Sequence, residues 1–456
     1  MIEKYVPKKI IALVKRVLGT PVFQRIIKNA SYLLSATGIT MVLAIIQGIF
    51  VFRIISPEDW GLLGAIFTFT TAANKITGFR INELVVRYMR LFIEEGEQNK
   101  AAAIYKLASL LETFSASLAF ILIWVLSSWG AEFFGKDVAT QPLWIIYGTV
   151  VLINSTFDSS RGLLQVFTRF QTIAATNIIK SCSTLALAIY WYFNNGGLNE
   201  ILLLYMGGKL VDAIGKTSAA IWTANQEWGS GWWSSSPLRI LKADLKSIFT
   251  FAFSTNFSDT ISLVAKDSET LWVSAFLGTE AAGYYYFATG LIGKIKLPIS
   301  PLALTTYPEL AREVANKKWE SVKDTLIRSS RLAGVYTLPI VLFFMVLGKP
   351  AIELLYEENF LPAYPILMIL LIGMTFDNIF FWNRVALLAL NRPVYPTIVN
   401  FIGMIIKVSL IFILVEQYQA YAFASLLSFY YIFTVGFAVL GVRSELNKKM
   451  SVSEAA

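Results

Sequence analysis

The sequence contains no histidine and only one cysteine, Cys182. Disulfide frameworks, Cys/His zinc sites and any mechanism resting on an imidazole base are thereby excluded. Charge is scarce too: 15% of the 456 residues are Asp, Glu, Lys or Arg, against roughly 25% in soluble chains. No GxxxxGK[ST] phosphate loop occurs, which argues against ATP hydrolysis. Glu58-Asp59 is the only acidic pair in a first outer loop of a few residues, too little for the metal ligands of a membrane glycosyltransferase. The chain therefore reads as a non-enzyme without cofactor or metal. A basic stripe interleaved with aromatics is missing away from membrane-flanking positions, which argues against nucleic acid as a partner.

What abounds is apolar sequence, 56% of the chain, with a mean hydropathy of +0.59. It comes in blocks. Uncharged stretches such as 29–52, 113–131, 332–348 and 417–442 are each long enough to cross roughly 30 Å of hydrocarbon at about 1.5 Å per helical residue. The expected fold class is an all-α integral membrane protein of about twelve spans: 29–52, 60–80, 106–130, 139–160, 169–193, 199–223, 247–277, 281–308, 330–348, 361–388, 394–415 and 419–442. Residues 1–28 read as a basic amphipathic helix on the cytoplasmic membrane face, because Lys15 and Arg16 interrupt the apolar run and no cleavage pattern follows.

The loops carry a lopsided charge. One side gathers the basic N-terminus, Arg87, Arg90, Lys100, Arg161, Arg169, Arg239, Lys242 and Lys246, and farther on Arg312, Lys317, Arg392 and the tail of 444–456; the other holds only Arg53, Lys136 and Lys349 as cations. That bias places both termini in the cytoplasm and supports an even span count.

An internal duplication underlies the spans. Glu58 and Gly61 recur as Glu280 and Gly283 at an offset of 222, Phe157-Asp158 recurs as Phe376-Asp377, and Arg169 recurs as Arg392. Two halves, 29–224 and 247–443, would then enter the membrane in the same orientation, related by a parallel pseudo-twofold axis. The stretch 225–246 between them, with NQEWGSGWWSSSPLRILK at 225–242, reads as a cytoplasmic hinge at the membrane interface.

Ionisable residues inside spans are costly, at about 2.5–3.5 kcal/mol for a central cation, and mark cavities or partners. Lys209, Asp212 and Lys216 share one helix face, and Lys266 has Asp267 and Glu269 beside it, so these groups have local means of neutralisation. Lys75, Lys294 and Lys296 have no acid in their own spans. Lys75 and Lys296 lie at nearly the same depth in each half, and Lys180 and Lys407 answer each other one helical turn apart. The bland reading is that these side chains snorkel to the headgroups. The sharper one is a cationic central chamber that receives a phosphate or diphosphate.

IISPEDWGLLG, GTEAAGYYYFA and TYPELA (306–311) also resemble bacterial polysaccharide flippases, the Wzx-like branch of the multidrug/oligosaccharidyl-lipid/polysaccharide exporter superfamily. The resemblance runs from Asn29 to Arg443. It implies two six-helix lobes in a MATE-like V, located in the bacterial inner membrane. A cationic cavity would take a polyprenyl-diphosphate-linked glycan by alternating access to the outer leaflet, alongside membrane lipids and polysaccharide polymerase or export machinery. Lys75, Arg80, Lys294 and Lys296 are then expected to hold the diphosphate, with Lys180, Lys266 and Lys407 lining the chamber. Asp267 sits where the family often carries an aspartate and is the expected coupling residue. KITGFRINELVVR (75–87) departs from relatives that place an acid where Ile76-Thr77 stands. The alternative is an ion-coupled drug exporter, whose relatives often carry a carboxylate in the first helix; Asn29 to Phe52 has none, Gln47 being its most polar mid-span group.

Overall fold

The computed structural model describes residues 21–392 and 394–455. Most of the amphipathic helix expected over 1–28 lies outside them. All regular structure among the described residues is helical. The chain runs through α1 (Pro21–Phe52), α2 (Pro57–Thr77), α3 (Ile81–Glu94), α4 (Gln98–Phe133), α5 (Gln141–Gly148), α6 (Val150–Ile153), α7 (Phe157–Val166), α8 (Phe170–Phe193) and α9 (Leu198–Trp228). After the short α10 (Trp232–Ser235) come α11 (Leu245–Ser262), α12 (Glu269–Leu277), α13 (Thr279–Lys296), α14 (Ser300–Ala315), α15 (Trp319–Tyr356), α16 (Ala363–Ile379), α17 (Asn383–Ala389) and α18 (Val394–Ala455). A π-helical turn, Leu263–Asp267, joins α11 to α12. Gln419, at φ 48° and ψ −130°, breaks α18 into two helices.

Seven helical stretches among the described residues are long and apolar enough to cross a membrane. The chain is a multi-pass integral membrane protein. The last of the seven, Val394–Ser451, contains two of the expected spans, 394–415 and 419–442. The four expected spans outside the seven are 60–80, 199–223, 247–277 and 281–308. All four are helical, and they are the ones that hold Lys75, Lys209, Lys266 and Lys294.

The order of elements recurs along the chain. The starts of α2, α3, α4, α5, α7 and α8 are followed, 219 to 226 residues later, by those of α13, α14, α15, α16, α17 and α18. Even the short 3-10 turn Val138–Thr140 has a counterpart in Glu358–Phe360.

Two compact units form. One comprises Ile39–Phe287 with Leu355–Phe360; the other comprises residues up to Gly38, Ala288–Leu354 and everything from Leu361 on. Packing therefore groups α11, α12 and the first half of α13 with the elements before them. In the first unit, α3, α4, α7 and α9 enclose a core that includes Leu84, Met89, Ile104 and Leu163, none of them exposed. The 225–246 segment joins that core through Trp232 and Leu241. Trp228 donates its indole N–H to Gln98 at 3.2 Å, and Lys106 donates to the Trp233 carbonyl at 2.6 Å. The segment is docked against α4, so it is not a free tether. In the second unit, Leu310, Leu326, Trp382, Leu387 and Val442 form the corresponding core.

Candidate functional site

α2 begins with a strong local signal. Ser56 accepts from the Asp59 N–H at 3.1 Å, Pro57 fills the first turn, and Glu58 and Asp59 lie at the positive helix end. Its last turn presents Lys75 before the chain breaks at Gly78–Arg80. The π-turn after α11 presents Asp267. Lys75 Nζ donates to Asp267 Oδ2 at 2.7 Å, and Ser262 Oγ donates to the same oxygen at 3.0 Å. The cation without an acid in its own span thus finds one from a distant helix. Lys296 does the same within the second unit. Its ammonium pairs with Asp377 and lies 4.9 Å from the centre of the Tyr431 ring.

Asp212 organises a second cluster on α9. Lys216, one helical turn on, pairs with it; both side chains are buried, at 3% and 6% exposure. Lys216 also donates to Asn177 Oδ1 at 2.9 Å, and Lys180 approaches the other Asp212 oxygen at 3.6 Å. The mutual neutralisation expected of 209, 212 and 216 is corrected here: Lys209 makes no ion pair within 4 Å among the described residues. Asp212 is already saturated by Lys216 and by Lys180 from α8. The local pairing expected of Lys266 is likewise overturned, since Asp267 is engaged by Lys75, and Glu269 accepts from the Tyr285 hydroxyl at 2.8 Å.

Between α2, α4, α5–α7 and α9, inside the first unit, lies a cavity of about 350 Å³. Glu112 stands on its wall and uses both carboxylate oxygens to accept the Asp158 and Ser159 N–H groups at 2.7 and 2.9 Å. The N–H groups at the α7 N-terminus have no partner within the helix, and this carboxylate satisfies two of them. Glu112→Gln keeps one acceptor and turns a donor against the other N–H. It is expected to cost about 2 kcal/mol, read as a lower thermal midpoint of the purified protein; an unchanged midpoint would contradict this role. Also on the wall are Thr70, Asn74, Tyr147 and Lys209. Thr70 and Tyr147 are 4% and 6% exposed.

The sequence-expected residues therefore fall into groups. Lys75 and Arg80 line the cavity, but each is paired, Arg80 with Glu83 at 2.8 Å. Lys180 leans on Asp212. Lys407 is fully buried in the second unit. Lys266 and Lys294 are half-buried and have no ion-pair partner among the described residues. Lys209, Thr70, Asn74 and Tyr147 escaped the sequence reading. Lys209 did so because an acid three residues away appeared to explain it, and the others because an isolated polar residue in a span carries no periodic signal.

A family model described as "polysaccharide biosynthesis protein" matches residues 26–314. Inner membrane protein YghQ of Escherichia coli (strain K12) is 22% identical over 351 residues, 76% of this chain and 96% of that protein. The inward-facing structure of a multidrug resistance MATE family transporter of the MOP superfamily superposes with a TM-score of 0.68 at 13% identity, covering 91% of this chain and 96% of that one. The inward closed structure of the lipid II flippase MurJ does so with a TM-score of 0.61 at 15% identity, covering 92% and 90%.

Proposed function

Because the chain belongs to the polysaccharide biosynthesis protein family and has the fold of MOP-superfamily transporters, we propose that it is a flippase for a polyprenyl-diphosphate-linked glycan. It carries this lipid from the inner to the outer leaflet of the bacterial cytoplasmic membrane, with both termini in the cytoplasm. The obstacle it removes is the sugar headgroup, whose hydroxyls each cost several kcal/mol in hydrocarbon when unsatisfied. The duplicated halves, 29–224 and 247–443 joined by 225–246, would act as six-helix lobes in alternating access, delivering substrate to polymerase or export machinery. The recurrence of the element order and the likeness to a lipid II flippase support this reading.

One observation carries it. Lys209, Lys266 and Lys294 stand in spans without an ion pair among the described residues, a costly arrangement that a diphosphate relieves. Lys75, Arg80 and Lys180 would be the reserve of cations in the first unit, and Lys296 and Lys407 in the second, with Asp267 able to exchange Lys75 for substrate. Translocation of a fluorescent prenyl-diphosphate disaccharide by the purified protein in liposomes tests the reading. The protein should exceed empty vesicles, and Lys209→Gln with Lys294→Gln should lower the rate at least about tenfold at equal insertion. Wild-type protein no faster than empty vesicles would end it.

The likeness to multidrug transporters sustains a second reading, ion-coupled export of small molecules. Against it, Gln47 in α1 is occupied by a 2.9 Å hydrogen bond from Thr184, and the span contains no carboxylate. Resistance to cationic dyes on expression would favour it.

A further inference from the structure

Apart from Lys209, the wall charges Lys75, Asp212 and Glu112 in the cavity of the first unit are already committed, while several of its neutral hydrogen-bonding groups are not. Lys75 is tied to Asp267, Asp212 to Lys216, and both oxygens of Glu112 to backbone N–H groups. The Thr70 hydroxyl is buried without a hydrogen-bond partner. Among the described residues, the Tyr147 hydroxyl and the Asn74 amide, on the same wall, make no side-chain hydrogen bond either. Thr70 and Asn74 on α2 and Tyr147 on α5 thus line the cavity with uncommitted polar groups, and the buried Thr70 hydroxyl among them implies something that satisfies it. Lys209 is the one wall cation with no ion pair within 4 Å among the described residues.

We infer that this cavity is the receptor for the sugar adjoining the lipid diphosphate, with Lys209 taking a phosphate oxygen at its edge. The inference rests on the flippase reading and names the part of the substrate held here. A diphosphate alone would call for several uncommitted cations converging on it, and the wall offers one. A ring of hydroxyls calls for neutral, directional donors and acceptors, and Thr70, Asn74 and Tyr147 are of that kind. At about 350 Å³ the cavity lies near the lower end of small-molecule sites, about 300–1,000 Å³. It therefore suits one or two sugar rings, with the remainder of a longer glycan outside it.

The test is equilibrium binding of two probes to the full chain in nanodiscs: a prenyl diphosphate without sugar, and the same lipid carrying a disaccharide. Wild-type protein should prefer the sugar-bearing probe by about tenfold. Thr70→Val and Tyr147→Phe conserve shape, and each should weaken that probe roughly fivefold while leaving the bare lipid unchanged. Lys209→Gln should weaken both. If the hydroxyl variants shift both probes alike, or neither, the cavity is not a sugar receptor, although the flippase reading survives. If Lys209→Gln changes neither, Lys209 does not meet the phosphate. If wild-type protein binds neither probe, the flippase reading itself fails and takes this site with it.

Discussion

An Asp212→Asn protein is expected to lose most of its folded, membrane-inserted form. Lys216 would remain at 3% side-chain exposure with neutral amide oxygens, that of Asn177 among them, as its acceptors and the Phe157 ring 4.6 Å away. Removing one partner of a buried ion pair costs about 3–5 kcal/mol, because the surviving charge stays desolvated. That is a large share of the total stability of a typical domain, about 5–15 kcal/mol. Replacing both partners by groups of similar shape is close to neutral, so Asp212→Asn with Lys216→Met should recover most of the folded yield. Lys180, 35% exposed, tolerates the loss of its long contact. Fluorescence-detected size exclusion of the detergent-extracted protein gives both numbers. Equal yields for the single and double variants would show that Asp212 does not serve chiefly to neutralise Lys216.

That cluster also shows how far the sequence could be read. Helix geometry brings residues three and four apart onto one face, so an acid between Lys209 and Lys216 was legible. Which lysine it takes was not. The choice falls to Lys216 because α8 delivers Asn177 and Lys180 to that end of α9, a tertiary fact. The same limit applies to Lys75 and Lys296. Their cost inside a span was evident from composition, but their acids lie 192 and 81 residues away. A chamber lined by uncommitted lysines is the natural expectation when only local partners are visible; folding supplies distant ones. The duplication was more transparent. Matching Glu58–Gly61 with Glu280–Gly283 foreshadows the recurring order of helices, because helix starts are written in short-range capping chemistry. The interruptions at 78–80, 263–267 and 297–299 were not foreseen. In each case the expected span runs up to or through the break, and periodicity does not register a change in hydrogen bonding.

The duplicated glycines should prove the least replaceable residues on α2 and α13. A Cβ built on Gly61 falls 1.7 Å from the Thr279 carbonyl oxygen, and one on Gly283 falls 1.8 Å from that of Pro57. The obstructing atoms are backbone on the opposing helix, so no rotamer change relieves the clash. The two helices have to separate. Beside them Phe52 packs edge-on against Trp60, Phe287 and Phe360, with ring centres 4.8 to 4.9 Å apart, so the displacement would also open a dense aromatic cluster. In a membrane, where apolar association is not driven by water, such close backbone approach at small residues is what holds helices together. Gly61→Ala and Gly283→Ala are each expected to cost at least about 3 kcal/mol, the upper end of ordinary overpacking. The sign reverses nearby. Gly290 and Gly293, farther along α13, meet no described atom within 4 Å of an added Cβ, so alanine there should stabilise the helix by up to about 1 kcal/mol. Gly64 is intermediate, since its Cβ would meet the Tyr286 side chain at 2.7 Å, which can turn aside in part. Thermal midpoints of the four alanine variants at 61, 64, 283 and 290 should therefore fall in the order 290, 64, then 61 and 283 together at the bottom. A Gly61→Ala protein as stable as wild type would mean that α2 and α13 do not touch backbone to backbone.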